Sequence, residues 1–484
     1  MPEETTGRGA TGLRVAPAAG SAGGAGPEVG RRPLMVYAVA AVSALGGLLF
    51  GYDTGIISGA LLYLREDFDL SSREQEIVVS VILVGAMVGA LLAGRLSQRY
   101  GRRKVVMAVA VIFGVGAVAA ALAPDVLTLI LSRFVLGLAV GGASNMVPVY
   151  IAEMAPAAIR GRLMVLFQLM VAIGQLISYL CGWALAGSGG WRTMFGLAVI
   201  PAVVLVVGMA LLPESPRWLV ERGQRETARA VLARLRGPGE DVDAEIAEIE
   251  GIAAAGRDGR RGGWRELSRP WVRPALIVAI GIAAFSQLTG INAIVYYAPT
   301  VLADAGFGDS VALLTGIGIG VMLVIAGVAG AILVDKAGRR RTMLWFLPGS
   351  GLAMAVLALA FLGNSGSALQ RWTVVLSLFA YILFNGIGMQ AVVWLIGPEV
   401  LPLSVRGPAT SLATLSVWGF DLLIAVTALT MINSIGRSGT FFLYALMNVA
   451  CIVFVVRKVP ETRGRSLEEI ERELLSKARP ATAR

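Results

Sequence analysis

Asp53 stands in the stretch LLFGYDTGIISG at 48–59, within an apolar run extending from about residue 34 to 64. That run is longer than the roughly 20 residues a helix needs to cross a bilayer. A carboxylate near mid-membrane costs several kcal/mol unless it is paired, neutral or facing water. Asp53 is therefore a candidate intramembrane ion or proton site, the alternative being an aspartate at a helix end or in a loop. Arg133 opens SRFVLGL inside another apolar run. A guanidinium there must find a partner or snorkel to the interface. Pairing Asp53 with Arg133 would compensate both charges, and a rearrangement that parts them would let the carboxylate take a proton. The chain has no histidine, so proton chemistry falls to carboxylates. Cys181 and Cys451 both lie in apolar stretches, which argues against a disulfide or metal site. No cofactor is expected.

The elements that hold these residues follow from composition. With 56% hydrophobic and 15% charged residues, the chain reads as an integral membrane protein. Sixty glycines and 20 prolines argue for helices that pack closely and break in places. The expected fold is all-α, with twelve transmembrane helices in two pseudo-symmetric six-helix halves. The spans are read at 34–64, 77–97, 104–123, 126–152, 161–186 and 191–212, then 273–303, 310–334, 342–363, 371–398, 408–433 and 439–457. The expected divisions are a disordered tail at 1–33, a first half at 34–212 and a charged linker at 213–272. A second half at 273–457 and a tail at 458–484 complete the chain. Two linker stretches, ESPRWLVERGQRETARAVLARL and DVDAEIAEIEGI, have helical spacing and should lie on the membrane face. Ser466 and Glu469 form a capping box that would start a further helix in the C-terminal tail.

The net charge of +10 could suggest nucleic acid, but its placement argues for a bilayer instead. On these spans, 36 of the 42 Lys and Arg fall on one side, which the positive-inside rule makes cytoplasmic, so both termini should be inside. Only four of the 42 are lysines, a hint of a high-GC bacterium. No cleavable signal peptide is read ahead of the first span.

The second half repeats the first. Glu153-x-x-Pro156-x-x-x-Arg160-Gly161 recurs as Glu399-x-x-Pro402-x-x-x-Arg406-Gly407. Gly101-Arg102-Arg103-Lys104 recurs as Gly338-Arg339-Arg340-Arg341, and Pro213-Glu214 as Pro460-Glu461. Two similar halves with a site between them near the midplane is the architecture of alternating-access transport.

The same residues carry a resemblance. GYDTG at 51–55, the run 94–103, PVYIAEMAP with Arg160-Gly161, PESPRW at 213–218, the runs 287–297 and 334–340, and PETRG at 460–464 resemble the sugar porter branch of the major facilitator superfamily. The likeness covers nearly the whole chain and is shared with bacterial sugar–proton symporters and glucose facilitators. It implies that Asp53, with Arg133, is the proton site, a position at which facilitators lack the acid.

Sugars ask for amide donors and acceptors and for aromatic faces. Gln168 and Gln175, seven apart, share one face of the fifth span. Gln287 and Asn292, five apart, would diverge by about 140° on a regular helix. A break at Thr289-Gly290 would let both face one cavity. Tyr296, Tyr297, Trp394 and Trp418 complete the candidates, and the resemblance places the amides and both tryptophans in the sugar cavity. Interhelical hydrogen bonding and plain packing are the alternatives. The resemblance further implies that Arg102, Arg103, Glu153, Arg160, Glu214 and Arg217, with Asp335, Arg339, Arg340, Glu399, Arg406 and Glu461, form ion pairs between the halves that close a cytoplasmic gate. Plain positive-inside charge accounts for some of these arginines equally well.

The chain also departs from that family. Gln98 replaces a common Asp in the first half, whereas Asp335 is kept. Ser286 replaces the first of two adjacent glutamines, Leu323 and Val417 stand where amides are usual, and Gln390-Ala391 replaces Gly-Pro. Asp421, one turn after Trp418, adds a carboxylate where facilitators carry an Asn. These features predict a proton-coupled importer of a monosaccharide or polyol, selective for something other than plain glucose, with Asp421 taking part in recognition. Asp421 could equally bind a second proton or pair with a neighbouring helix. The predicted protein is not an enzyme; its partners are a small sugar or polyol, protons and the bilayer, and it acts as a monomer in a bacterial cell membrane. An efflux antiporter would want a large apolar cavity. A non-transporting sugar sensor would want a long signalling tail.

Overall fold

The computed structural model describes residues 34–156, 159–186, 190–236, 240–257, 264–363, 367–402 and 405–463. The tail at 1–33 and the Ser466–Glu469 capping box lie outside them. The described residues form helices and no strand. The first six spans are Leu34–Asp67, Ser72–Tyr100, Arg102–Ala121, Val126–Met154, Arg160–Ala184 and Trp191–Leu211. The next four are Arg273–Asp304, Asp309–Ala337, Arg339–Ala360 and Ala368–Gly397. The eleventh and twelfth run together through Pro408–Lys458, divided at Gly436, whose φ of 76° is not helical.

Several helices extend beyond their apolar windows because local chemistry starts them early. Ser71 and Glu74 form a capping box that begins the second span at Ser72, five residues ahead of the apolar run. The Asp125 carboxylate accepts from Thr128 N–H and starts the fourth span. The sixth span is two helices, Trp191–Gly196 and Val199–Leu211. The linker, read as two helical stretches, holds three α-helices among its described residues, Pro216–Glu221, Arg225–Leu235 and Val242–Arg257, and a 3-10 turn at Trp264–Ser268. Gly223, at φ 74°, separates the first two.

Glycines let the spans meet backbone to backbone. Gly47, Gly51 and Gly55 form a row on the first span; a Cβ at Gly51 would lie 1.9 Å from the Val171 carbonyl oxygen. The second and fourth spans meet in the same way through Gly85, Gly89, Gly137 and Gly141. In a bilayer, such close approach replaces the hydrophobic drive that soluble helices rely on.

The linker packs on the first half. Trp218 Nε1 and Arg222 donate to the Gln98 carbonyl, and Arg222 also to that of Arg99. Arg236 is buried, bonding Glu245 and the Met154 carbonyl, and so ties two linker helices to the end of the fourth span. The exposed Gln98 side chain is not what holds this corner; its backbone is.

Candidate functional site

The first span carries Asp53 and the fourth carries Arg133, and both are buried. Arg133 Nη1 lies 3.7 Å from Asp53 Oδ1, while Arg133 Nε donates to the Val78 carbonyl at 2.6 Å. The guanidinium also sits 5.9 Å from the centre of the Phe195 ring. Asp53 Oδ2 and Arg133 Nη1 have no hydrogen-bond partner among the described residues. This is a charge contact without a tight bidentate bond, and parting the two groups would leave a buried carboxylate whose charge a proton can remove.

Beside the pair, a small cavity lies between the halves. The first half lines it with Phe50, Thr54, Ile82 and Arg133, the second with Tyr296 and Trp418. Trp418 packs on Phe50 at 5.6 Å, and its buried indole N–H has no acceptor among the described residues, so it can donate to a ligand oxygen. Tyr296 donates to Asp421 at 3.1 Å, and the Asn292 side chain lies near the same carboxyl group.

The seventh span breaks where Thr289-Gly290 stands. Its first helix is Arg273–Leu288, its second Ile291–Asp304, and Gly290 between them has φ 94°. A Cβ at Gly290 would lie 2.7 Å from the Tyr444 ring, so both conformation and space call for glycine. The break turns Gln287 and Asn292 together: Asn292 Nδ2 donates to Gln287 Oε1 at 2.8 Å, and Gln287 Nε2 to Ser286 Oγ at 3.1 Å. Ser286, Gln287 and Asn292 thus form one hydrogen-bonded strip, with the Tyr296–Asp421 pair beside it.

Other candidates are placed differently. Gln175 is buried and Gln168 half-buried on the fifth span, and neither bonds that strip among the described residues. The Tyr297 hydroxyl is engaged by the Ala425 carbonyl at 2.7 Å, fastening the seventh span to the eleventh. Trp394 is 41% exposed and joins no ring or hydrogen-bond contact with the other site residues.

The charged motifs build one layer twice. In the first half Glu214 accepts from the backbone N–H of Arg102 and Arg103 beside Gly101, Arg102 pairs with Glu153 at 3.0 Å, and Ser215 Oγ donates to Glu153. In the second, Glu461 accepts from Arg339 N–H beside Gly338, Arg339 pairs with Glu399 at 2.7 Å, and Thr462 Oγ1 donates to Glu399. Arg340 reaches the Val456 carbonyl, and Asp335 is exposed. Arg160 and Arg217 are half-buried near Glu245 and Glu248 or each other, and the Arg406 side chain lies outside the described residues. Among the described residues the ion pairs of these motifs, Arg102–Glu153 and Arg339–Glu399, each lie within one half in this conformation. The bonds that cross are at the opposite end, which is closed.

One of those bonds exposes a residue the sequence reading passed over. Glu76, 3% exposed on the second span, accepts from both N–H and Oγ1 of Thr430 on the eleventh, each at 2.7 Å. Asn433 donates to Ser72, and Arg65 pairs with Asp304 at 2.7 Å in the same layer. The Ser71 capping box was the signal that Glu76 belongs inside a span.

Known proteins give the same architecture. The family described as "Sugar (and other) transporter" matches residues 39–474. A D-xylose transporter of Levilactobacillus brevis is 42% identical, covering 90% of this chain and 94% of that protein. The glucose transporter GlcP of Staphylococcus epidermidis is 39% identical over 90% of this chain and 97% of its own. Among solved structures, the proton:xylose symporter XylE of E. coli, bound to 6-bromo-6-deoxy-D-glucose, is 30% identical with a TM-score of 0.76, covering 91% of this chain and 99% of that one.

Proposed function

The chain belongs to the sugar transporter family, in the sugar porter branch of the major facilitator superfamily, and from that premise we propose that it imports a monosaccharide or polyol together with protons. It is a multi-pass membrane transporter, not an enzyme. The observation that carries the coupling is the buried Asp53–Arg133 contact at the wall of a cavity shared by both halves. Substrate entering that cavity draws Arg133 and the aromatic wall inward; Asp53, no longer compensated, takes a proton, and the two travel together as the halves rock. A proton crossing 100 mV supplies about 2.3 kcal/mol, enough for roughly fifty-fold accumulation. The Arg-rich ends face the cytoplasm on this reading, with both termini inside a bacterial cell membrane and a single chain sufficient for transport.

The relatives named for xylose and glucose support a monosaccharide-sized substrate. The residues argue for a different ranking. Ser286, Leu323 and Val417 offer fewer amide contacts, each worth about 0.5–1.5 kcal/mol, while Asp421 adds a carboxyl group held by Tyr296. An inositol-like polyol or a substituted sugar suits that exchange better than plain glucose.

Uptake of labelled D-xylose, D-glucose and myo-inositol into proteoliposomes tests the reading. An inward pH gradient should drive accumulation of at least one of them. Equal uptake with and without the gradient would reduce the protein to a facilitator.

A further inference from the structure

The broken seventh span leaves backbone carbonyls without helix partners, and side chains from two other spans take them up. Gly290 N–H turns to the Gln287 carbonyl, which frees that of Ser286. Gln390 Nε2, on the tenth span, donates to the Ser286 carbonyl at 3.1 Å. The Thr289 carbonyl accepts from Tyr381 at 2.7 Å and from Asn448 at 3.3 Å. Asn385 Nδ2 donates to Thr289 Oγ1 at 3.2 Å, and Gln390 Nε2 also donates to Asn385 Oδ1 at 3.3 Å. An uncompensated carbonyl at membrane depth is strongly disfavoured, so this brace makes the break tenable.

The tenth span is built to present the brace. Asn385 and Gln390, five apart, would diverge on an α-helix. Residues Gly386–Gln390 form a π turn in which Ala391 N–H reaches back to the Gly386 carbonyl. The wider turn brings residues five apart toward one face. Gln390 then holds the same residue, Ser286, whose hydroxyl accepts from Gln287. From there the strip continues to Asn292.

We propose that Gln390 is a positioning residue for the substrate amides: by fixing Ser286 across the break, it sets where Gln287 and Asn292 point. This rests on reading those two amides as sugar-binding. It makes the π turn a specificity element, because a shift of Gln390 is passed to Gln287 through Ser286, whose carbonyl and hydroxyl the two side chains hold.

The test is a double-mutant cycle on purified full-length protein, read by equilibrium binding of D-xylose, D-glucose and myo-inositol. Gln390→Met keeps length and removes the donor; it should weaken the tightest-bound of the three by about 3- to 10-fold. In a Gln287→Ala background the same change should add almost nothing. Gln390→Leu, which also lacks a donor, should behave like the Met variant and serves if that one does not fold. Independent, additive losses would overturn the proposal, as would wild-type affinity in a folded Gln390 variant, or a failure of both variants to fold, which would make the residue purely structural. A Gln287→Ala protein that binds as wild type, or a wild type that binds none of the three, would instead sink the amide-site reading, and the inference with it.

Discussion

Arg133 has two roles, and they can be separated. Its Nε bond to the Val78 carbonyl anchors the fourth span to the second, and its Nη1 compensates Asp53. Arg133→Ala removes both and leaves a buried carboxylate alone, a loss of about 3–5 kcal/mol for such pairs. Thermal unfolding of the purified variant should show a markedly lower midpoint than wild type, and a proton gradient should no longer concentrate substrate. An unchanged midpoint would mean that Asp53 is compensated elsewhere. Asp421 answers to a different measurement. Competition against labelled uptake should rank some polyol or substituted sugar above glucose and xylose, and Asp421→Asn should reorder the list. Preferred glucose binding that survives the mutation would remove Asp421 from recognition.

At the scale of elements, close packing sets what each span tolerates. Gly51→Ala would drive a methyl group into the Val171 backbone, where no side chain can move aside. Overpacking of this kind costs about 1–3 kcal/mol, so the variant's unfolding midpoint should fall. Gly327→Ala, with nothing within 4 Å, should leave it alone; equal midpoints for both would contradict the packing. Much of this was legible beforehand. Thr289-Gly290 marked the break in the seventh span because a lone glycine between two candidate amides had a conformational reason to be there. The paired motifs announced the two halves. The π turn at Gly386–Gln390 carried no local signature, since a widened turn depends on what the tenth span packs against. Glu76 was lost because an apolar window begins after it, although a capping box begins before it. The partners of the charged motifs were beyond the sequence for another reason. Whether an arginine bonds its own half or the other depends on which end of the transporter is closed.

For the whole molecule, the closed end is the one carrying Glu76–Thr430 and Arg65–Asp304, and the Arg-rich layers are each self-contained. That arrangement suits a transporter facing the Arg-rich side. If that side is the cytoplasm, cysteines introduced at Gly26 and Ser476 in intact cells should react only with membrane-permeant reagents. One at Asp67 should react with impermeant ones. Labelling of Ser476 from outside would invert the topology.

Coupling is the claim on which the rest depends, and Asp53→Asn isolates it. The change keeps size and hydrogen-bonding capacity while removing the group that takes the proton. Reconstituted in proteoliposomes with an inward pH gradient, the variant should accumulate no substrate above the outside concentration, yet should still exchange labelled for unlabelled substrate across the membrane. Full accumulation by Asp53→Asn against a substrate gradient would contradict the account.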